Sequence, residues 1–284
     1  MLKKWGLKPL ALPTLVWMGA LFVLPMLMML VLSFLERGTY GQVVYAFTLE
    51  NYVRIVDPLY AAIFWDTLVV AVLTTLFCIF CGYPLAYYIS RLEKSKQKIW
   101  LLLVMIPFWI NFLVRSYAWV IILRSQGVVN TFLQSLGLID EPLPLLYNSG
   151  SVLVGMVYTL LPFMVLPIYV SLEQMDHRKL EAAYDLGATP WKAFWHVTLP
   201  MTRTGVVTGS ILVFVSSIGM FVVPDVMGGA KSALIGNVIQ NQFLSARDWP
   251  FGSALSIILM LLSMLMIFLY FRAAKAGEAK EGRS

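Results

Sequence analysis

The chain has 284 residues, of which 60% are hydrophobic and 13% charged; its formal net charge is +6 and its mean hydropathy +0.79. Soluble domains carry about a quarter charged residues, so this composition excludes an ordinary water-soluble globular domain and specifies a polytopic membrane protein. A positive balance can serve nucleic acid or anionic lipid, but the positions of the charges give it another meaning.

Six runs reach the roughly 20 apolar residues that a spanning helix needs: 10–34, 67–90, 99–123, 150–172, 204–224 and 249–271. Together they predict an all-α fold in one transmembrane domain over 1–284. The first run follows MLKKWGLKP, and basic residues ahead of apolar sequence resemble a signal peptide. It extends over 25 residues without an A-x-A site, so it is expected to stay as the first helix. The second run contains Cys78 and Cys81. C-x-x-C spacing suggests a redox or metal site, yet the run is uncharged and no second pair completes a zinc site. The two thiols read as packing groups.

Lys and Arg set the orientation. With the N-terminus inside, the inner segments hold 15 of the 21 bases, grouped at Lys3–Lys8, Arg91–Lys98, Arg178–Arg203 and Arg272–Arg283. Arg37, Arg54, Arg124, Lys231 and Arg247 fall outside, and Arg115 falls within the third run. Both termini are therefore expected in the cytoplasm, and the basic charge is a topology signal that calls for no nucleic acid. The outer segments carry eight acids against five bases. Such a vestibule would favour a cationic solute, and chance accounts for it equally well.

Ionisable groups inside spans are functional candidates. Arg115 comes 16 residues after the start of the third run, about 24 Å along a continuous helix. Helical spacing would place it on one face with Phe108, Asn111 and Trp119. Two readings stand: a residue facing the bundle or a pathway, or one snorkelling to the interface. Asp225 lies in FVVPDVMGG, where Pro224 and two glycines are expected to break the helix. A carboxylate there could accept a substrate ammonium, or it is simply a solvated acid at a helix end. Asp66, just outside the second run, is a weaker candidate for the same role. Trp109, Tyr117, Trp119 and Tyr158 could hold an ammonium over a ring face, or form interfacial belts. Pro84, Pro107, Pro162 and Pro167 are positioned to kink their helices.

The fourth and fifth runs are separated by a mostly polar loop, 173–203, containing LEAAYDLGATPWKAFWHVTLP at 180–200. Asp176 is suited to cap a helix through Glu181, Ala182 and Ala183. Gly187 supplies a stop. Thr189 and Pro190 then supply a cap and a first helical residue for PWKAFWHVTL. The outcome is a helix–Gly–helix elbow shaped for docking. A partnerless interfacial helix is the alternative, but it needs no Gly–Ala–Thr–Pro corner.

Glu181, Ala182, Ala183, Gly187, Val197, Leu199 and Pro200 together resemble the EAA signature of ABC-importer permeases, with Val197 where isoleucine is commonest. IPFWINFLVRSYAW (106–119), LPFMVLPIY (161–169), GGAKSALIGNVI (228–239) and RDWPFGSALSI (247–257) are similar to polyamine importers, more closely the first permease subunit of spermidine/putrescine systems. The resemblance covers essentially the whole chain. It implies a MetI-like permease fold whose first helix stands apart from a five-helix core. It implies that Glu181, Ala182, Ala183, Asp185, Gly187, Ala188 and Pro190 belong to a coupling helix seated in a cytoplasmic ATPase. Implied partners are a second homologous permease (PotC type), an ATPase dimer (PotA type), a periplasmic polyamine-binding protein (PotD type) and membrane lipid. The implied location is the bacterial inner membrane.

No G-x-x-x-x-G-K-[ST] is present, so ATP and Mg are expected in the partner ATPase and no cofactor in this chain. An enzyme is disfavoured: both histidines, His177 and His196, lie in the elbow, and no Ser-His-Asp set assembles within the membrane. A permease for another small organic cation or solute remains a rival, as does a passive channel, which would need no docking elbow.

Overall fold

The computed structural model describes residues 8–229 and 233–281. Lys3, Lys4, Lys231 and Arg283, used above for orientation, and the centre of GGAKS lie outside the described residues. The chain forms two compact units, one of residues 1–61 with 238–266, the other of 62–237 with 267–284.

In the first unit α1 (Lys8–Leu32) precedes an antiparallel hairpin, β1 (Leu35–Arg37) and β2 (Val43–Phe47), and the short helix α2 (Glu50–Ile55). The hairpin departs from the all-α expectation. Its strands have three and five residues around a turn at Gly41, whose φ of 82° suits glycine, so a search for apolar runs of roughly 20 residues does not register it. Asn51 ties it down by donating to the carbonyls of Ser33 and Leu35, at 3.1 and 2.9 Å. Arg54 pairs with buried Asp248 at 3.0 Å, and its guanidinium lies 3.9 Å from the ring centre of Phe251. Asp248 also accepts from Phe251 N–H, capping α14 (Trp249–Glu281). One acid of the expected acidic vestibule is therefore consumed in structure.

The second unit contains most of the apolar helices. α3 (Pro58–Ser90) begins nine residues before the predicted span because Asp57 accepts from Leu59 N–H at 2.8 Å and Pro58 is preset for a first helical position. Asp66 thus lies inside a helix, not beyond its end, with its side chain exposed. α7 (Ser149–Glu173) starts with a reciprocal cap between Asn148 and Ser151.

The predicted third span is not continuous. α4 (Lys94–Trp109) gives way to α5 (Phe112–Leu123), and the segment Phe112–Ser135 that α5 opens is bent by 96° from α4. Ile110 is extended and Asn111 accepts from Leu113 N–H, so the chain stops one helix and caps another. α6 (Val128–Ser135) follows. The fifth predicted span also breaks early. α11 (Arg203–Ile218) ends at Gly219, and Pro224 lies near the start of a new helix, α12 (Val222–Met227), where a missing N–H costs nothing. The helix breaks before Pro224, not after it. α13 (Ile235–Leu244) leads to α14.

Among the described residues, three helices, Pro58–Ser90, Ser149–Glu173 and Trp249–Arg272, are long and apolar enough to cross a bilayer. Counting each bent helix pair as one span gives five, and the shorter apolar stretch Val16–Leu32 falls on the first predicted run.

Packing of α7 on α11 organises the second unit, and small residues make it possible. Gly205 and Gly209 lie one turn apart on α11. A Cβ at Gly205 would stand 2.5 Å from the Pro167 carbonyl oxygen, and one at Gly209 would stand 2.8 Å from Met164 Sδ. Around them Cys78, Tyr83, Ala86, Met164, Val165, Ile168 and Val213 form a buried cluster. Cys78 is a packing residue there, whereas Cys81 is exposed; both are free thiols. Gly205→Val is expected to destabilise the chain by about 1–3 kcal/mol through overpacking. Gly219→Ala, whose added Cβ has nothing within 4 Å, should leave stability nearly unchanged. Thermal unfolding of both variants in detergent checks the contrast.

Candidate functional site

The elbow is built by local caps. In α8 (His177–Asp185), Asp176 accepts from Arg178 N–H at 3.1 Å. Its far end closes as a Schellman motif: Gly187 N–H reaches the Tyr184 carbonyl and Ala188 N–H reaches the Ala183 carbonyl, both at 2.9 Å. Gly187 has φ 79°, which a side chain would resist. Thr189 then caps α9 (Pro190–Ala193), with Pro190 in its first turn.

The second arm is not the single α-helix predicted from PWKAFWHVTL. After α9 the chain widens into a π-helical turn, Phe194–Thr198, before α10 (Leu199–Met201) and a 64° bend into α11. Pro200 has no N–H with which to continue a regular ladder.

Met175, Leu180 and Ala193 bury against each other, with Ala188, Val197 and Met201 around them. This satellite core fixes the angle between the arms. Glu181, Ala182, Asp185, Gly187 and Pro190 are exposed, and Ala183 and Ala188 are half-buried. The surface that sequence reasoning missed is apolar. Leu186 is 89% exposed and Trp191 69%, with Tyr184 and Trp195 beside them in sequence. Trp191 and Trp195 pack edge to face at 5.9 Å. Exposed leucine at a helix C-cap was the available signal. Behind the elbow, Lys94 hydrogen-bonds Glu173, and that bond raises the lysine above its ordinary pKa. Tyr169 donates to Gln97 at 3.0 Å, while Gln97 donates to the carbonyls of Ser90 and Leu92 at 3.1 and 2.9 Å. The ends of α3, α4 and α7 are thereby tied together.

A second group collects at the 96° bend. Phe108, Trp109, Ile110, Asn111, Phe112 and Arg115 line a recess of about 470 Å³. Arg115 donates to the Pro107 carbonyl at 2.6 Å, across the break. Asn111 serves the free N–H groups of α5 and Arg115 a free carbonyl of α4, so the two form a clasp. The single helical face expected for Phe108, Asn111, Arg115 and Trp119 does not exist, and neither does the straight 16-residue path used to set the arginine's depth. Trp119 instead packs edge to face with Tyr158, centroids 5.4 Å apart. Tyr117 is exposed. Asp225 is exposed on α12, whose Val222, Val223, Pro224 and Met227 are buried. Asp66 stands on α3, apart in sequence from both groups.

These features define a class: a helical, multi-span membrane protein with an elbow of exposed apolar side chains between two apolar helices. Residues 8–276 match the family described as binding-protein-dependent transport system inner membrane component, and the chain belongs to that family. It is 43% identical over 266 residues to the spermidine/putrescine transport system permease protein PotB of Haemophilus influenzae, covering 93% of this chain and 92% of that one. With PotB of Escherichia coli K12 the identity is 44% over 264 residues, covering 93% and 96%. A solved bacterial ABC transporter involved in import of the acidic polysaccharide alginate matches at TM-score 0.75 and 18% identity, over 96% of each chain. The fold is that of an ABC-importer permease.

Arg115→Ala removes the donor to Pro107 from a partly buried carbonyl. It is expected to cost about 1–3 kcal/mol in detergent unfolding, with Arg115→Lys recovering part of the loss.

Proposed function

We propose that this chain is the transmembrane permease subunit of an ATP-driven importer that carries polyamines, spermidine and putrescine, across the bacterial inner membrane by alternating access. The observation that carries the reading is sustained identity above 40% to polyamine permeases over 93% of the chain. The chain is one permease domain of six spans, with both termini cytoplasmic. It pairs with a second permease of the PotC type, receives substrate from a PotD-type binding protein, and sits on a PotA-type ATPase dimer that holds ATP and Mg.

The elbow is the part of this chain that meets the ATPase. Leu186 and Trp191 are its apolar anchors, Glu181, Ala182, Asp185 and Pro190 its polar and backbone surround, and Ala183, Gly187 and Ala188 its turn. Large apolar side chains surrounded by polar ones are the usual composition of a partner surface. Closure of the ATPase dimer pushes the elbow, and the elbow moves α11 through the bend at Thr202.

On the substrate side, Asp225 accepts an ammonium, with Asp66 a secondary acid. Trp109, Tyr117, Trp119 and Tyr158 offer ring faces worth about 0.5–2 kcal/mol each. Arg115 and Asn111 keep the pathway wall in shape by holding the bend.

Reconstitution into proteoliposomes with the three partner proteins tests this. Wild type is expected to accumulate labelled spermidine only with ATP. Leu186→Glu should lose both the co-purifying ATPase and uptake. Asp225→Asn should keep assembly and basal hydrolysis while uptake falls by about tenfold, the loss of one charge-assisted bond. ATP hydrolysis without polyamine uptake would reject the substrate and leave the importer. Uptake independent of ATP would favour a channel.

A further inference from the structure

The elbow joins its unit at a small buried joint that no motif singles out. Phe194, opening the π-helical turn, stands edge-on to two rings of α3: Tyr83 at 5.5 Å and Tyr87 at 5.9 Å. Beyond it, the hydroxyls of Tyr83 and Thr202 lie 2.8 Å apart in a buried hydrogen bond. Thr202 is fully buried at the 64° corner and donates to the Thr198 carbonyl at 2.8 Å. Tyr83 must then be the donor to Thr202, giving a directed chain from α3 to the last turn of the elbow.

That last turn is wound wide. Leu199 N–H reaches back to the Phe194 carbonyl, the bond an α-helix would give to Thr198 N–H. The Thr198 hydroxyl is buried without a hydrogen-bond partner. Local geometry therefore leaves the turn under-bonded, and its position depends on what α3 supplies. α3 is one continuous helix of 33 residues. About 24 Å along it from Tyr83, Thr67 accepts from Ile235 N–H at 3.0 Å, holding the start of α13 beyond the segment that carries Asp225.

We propose that Tyr83 and Thr202 are positioning residues through which displacement of the elbow enters α3, and that α3 carries it to Thr67 and the α12–α13 segment. The proposal rests on the elbow being the ATPase dock. It makes the joint a determinant of coupling, distinct from both docking and folding.

Tyr83→Phe keeps the ring against Phe194 and Thr202→Val keeps the side-chain shape, so both remove the bond between α3 and the elbow with little change in packing; Thr202→Val also removes the bond to the Thr198 carbonyl, which lies within the elbow. In the reconstituted four-protein importer, the readout is spermidine imported per ATP hydrolysed. A general loss of folded complex lowers both rates and leaves this ratio alone. Each variant is expected to lower the ratio about fivefold, the factor one hydrogen bond commands, with no further loss in the double variant. A ratio at the wild-type value in either single variant, or losses that multiply in the double one, would overturn the proposal. The ATPase should co-purify with Tyr83→Phe and Thr202→Val but not with Leu186→Glu. Retention by Leu186→Glu overturns the docking reading, whatever the ratio does.

Discussion

Hydrocarbon offers no partner to a backbone amide or carbonyl, and that constraint governs the helix breaks within the apolar stretches of this chain. Each place where a helix stops within an apolar stretch brings its own replacements. At the 96° bend, Asn111 serves α5 and Arg115 serves α4. At the break after α11, Asn237 donates to the Phe221 carbonyl at 2.8 Å. At the far end of α12, Tyr147 N–H and the Ser151 hydroxyl both reach the Met227 carbonyl, at 3.1 and 2.9 Å. Breaks of this kind are tolerable only where protein surrounds them, and they let a mainly helical molecule carry polar side chains at set positions without leaving backbone groups bare.

The same economy explains the packing. Apolar helices in lipid gain little from burying leucine against leucine, so close approach at small residues carries the association. Gly205 and Gly209 bring α11 against the backbone of α7, where the kink-prone Pro162 and Pro167 also sit. α11 is also the helix that the elbow feeds. A tight α7–α11 contact and a cornered entry at Thr202 join the elbow directly to a packed core, as the proposed lever action requires.

The membership of the importer family and the exposed apolar elbow are two independent supports for one mechanism. The first concerns ancestry over nearly the whole chain; the second concerns the local chemistry of about two dozen residues. In the proposed mechanism, Asp225, Asp66 and the ring faces serve the other end, where a polycation needs acids and aromatic surface in place of apolar anchors. Arg115 is proposed for neither end as a ligand; its bond to the Pro107 carbonyl holds the bend.

Signals that act over three to five residues were legible in the sequence. Gly187, Thr189 and Pro190 specify the corner of the elbow because caps and left-handed turns depend on immediate neighbours. Apolar runs locate the bulk of the helices for the same reason, since lipid compatibility is a property of composition. The hairpin at Leu35–Phe47 escaped because its strands are too short to register as spans, and the early start of α3 because the charge at Asp66 interrupts the apolar run while the Asp57–Pro58 cap lies upstream. The bend at Ile110–Asn111, the Arg54–Asp248 pair and the Tyr83–Thr202 bond join groups that are distant in sequence or oriented by a backbone turn that apolarity does not reveal. Composition and caps determined that the chain is helical, membrane-bound and elbowed. Only tertiary structure decided where the helices break, which side chains heal the breaks and which face of the elbow stays open, because each depends on contacts between residues that the linear order does not bring together.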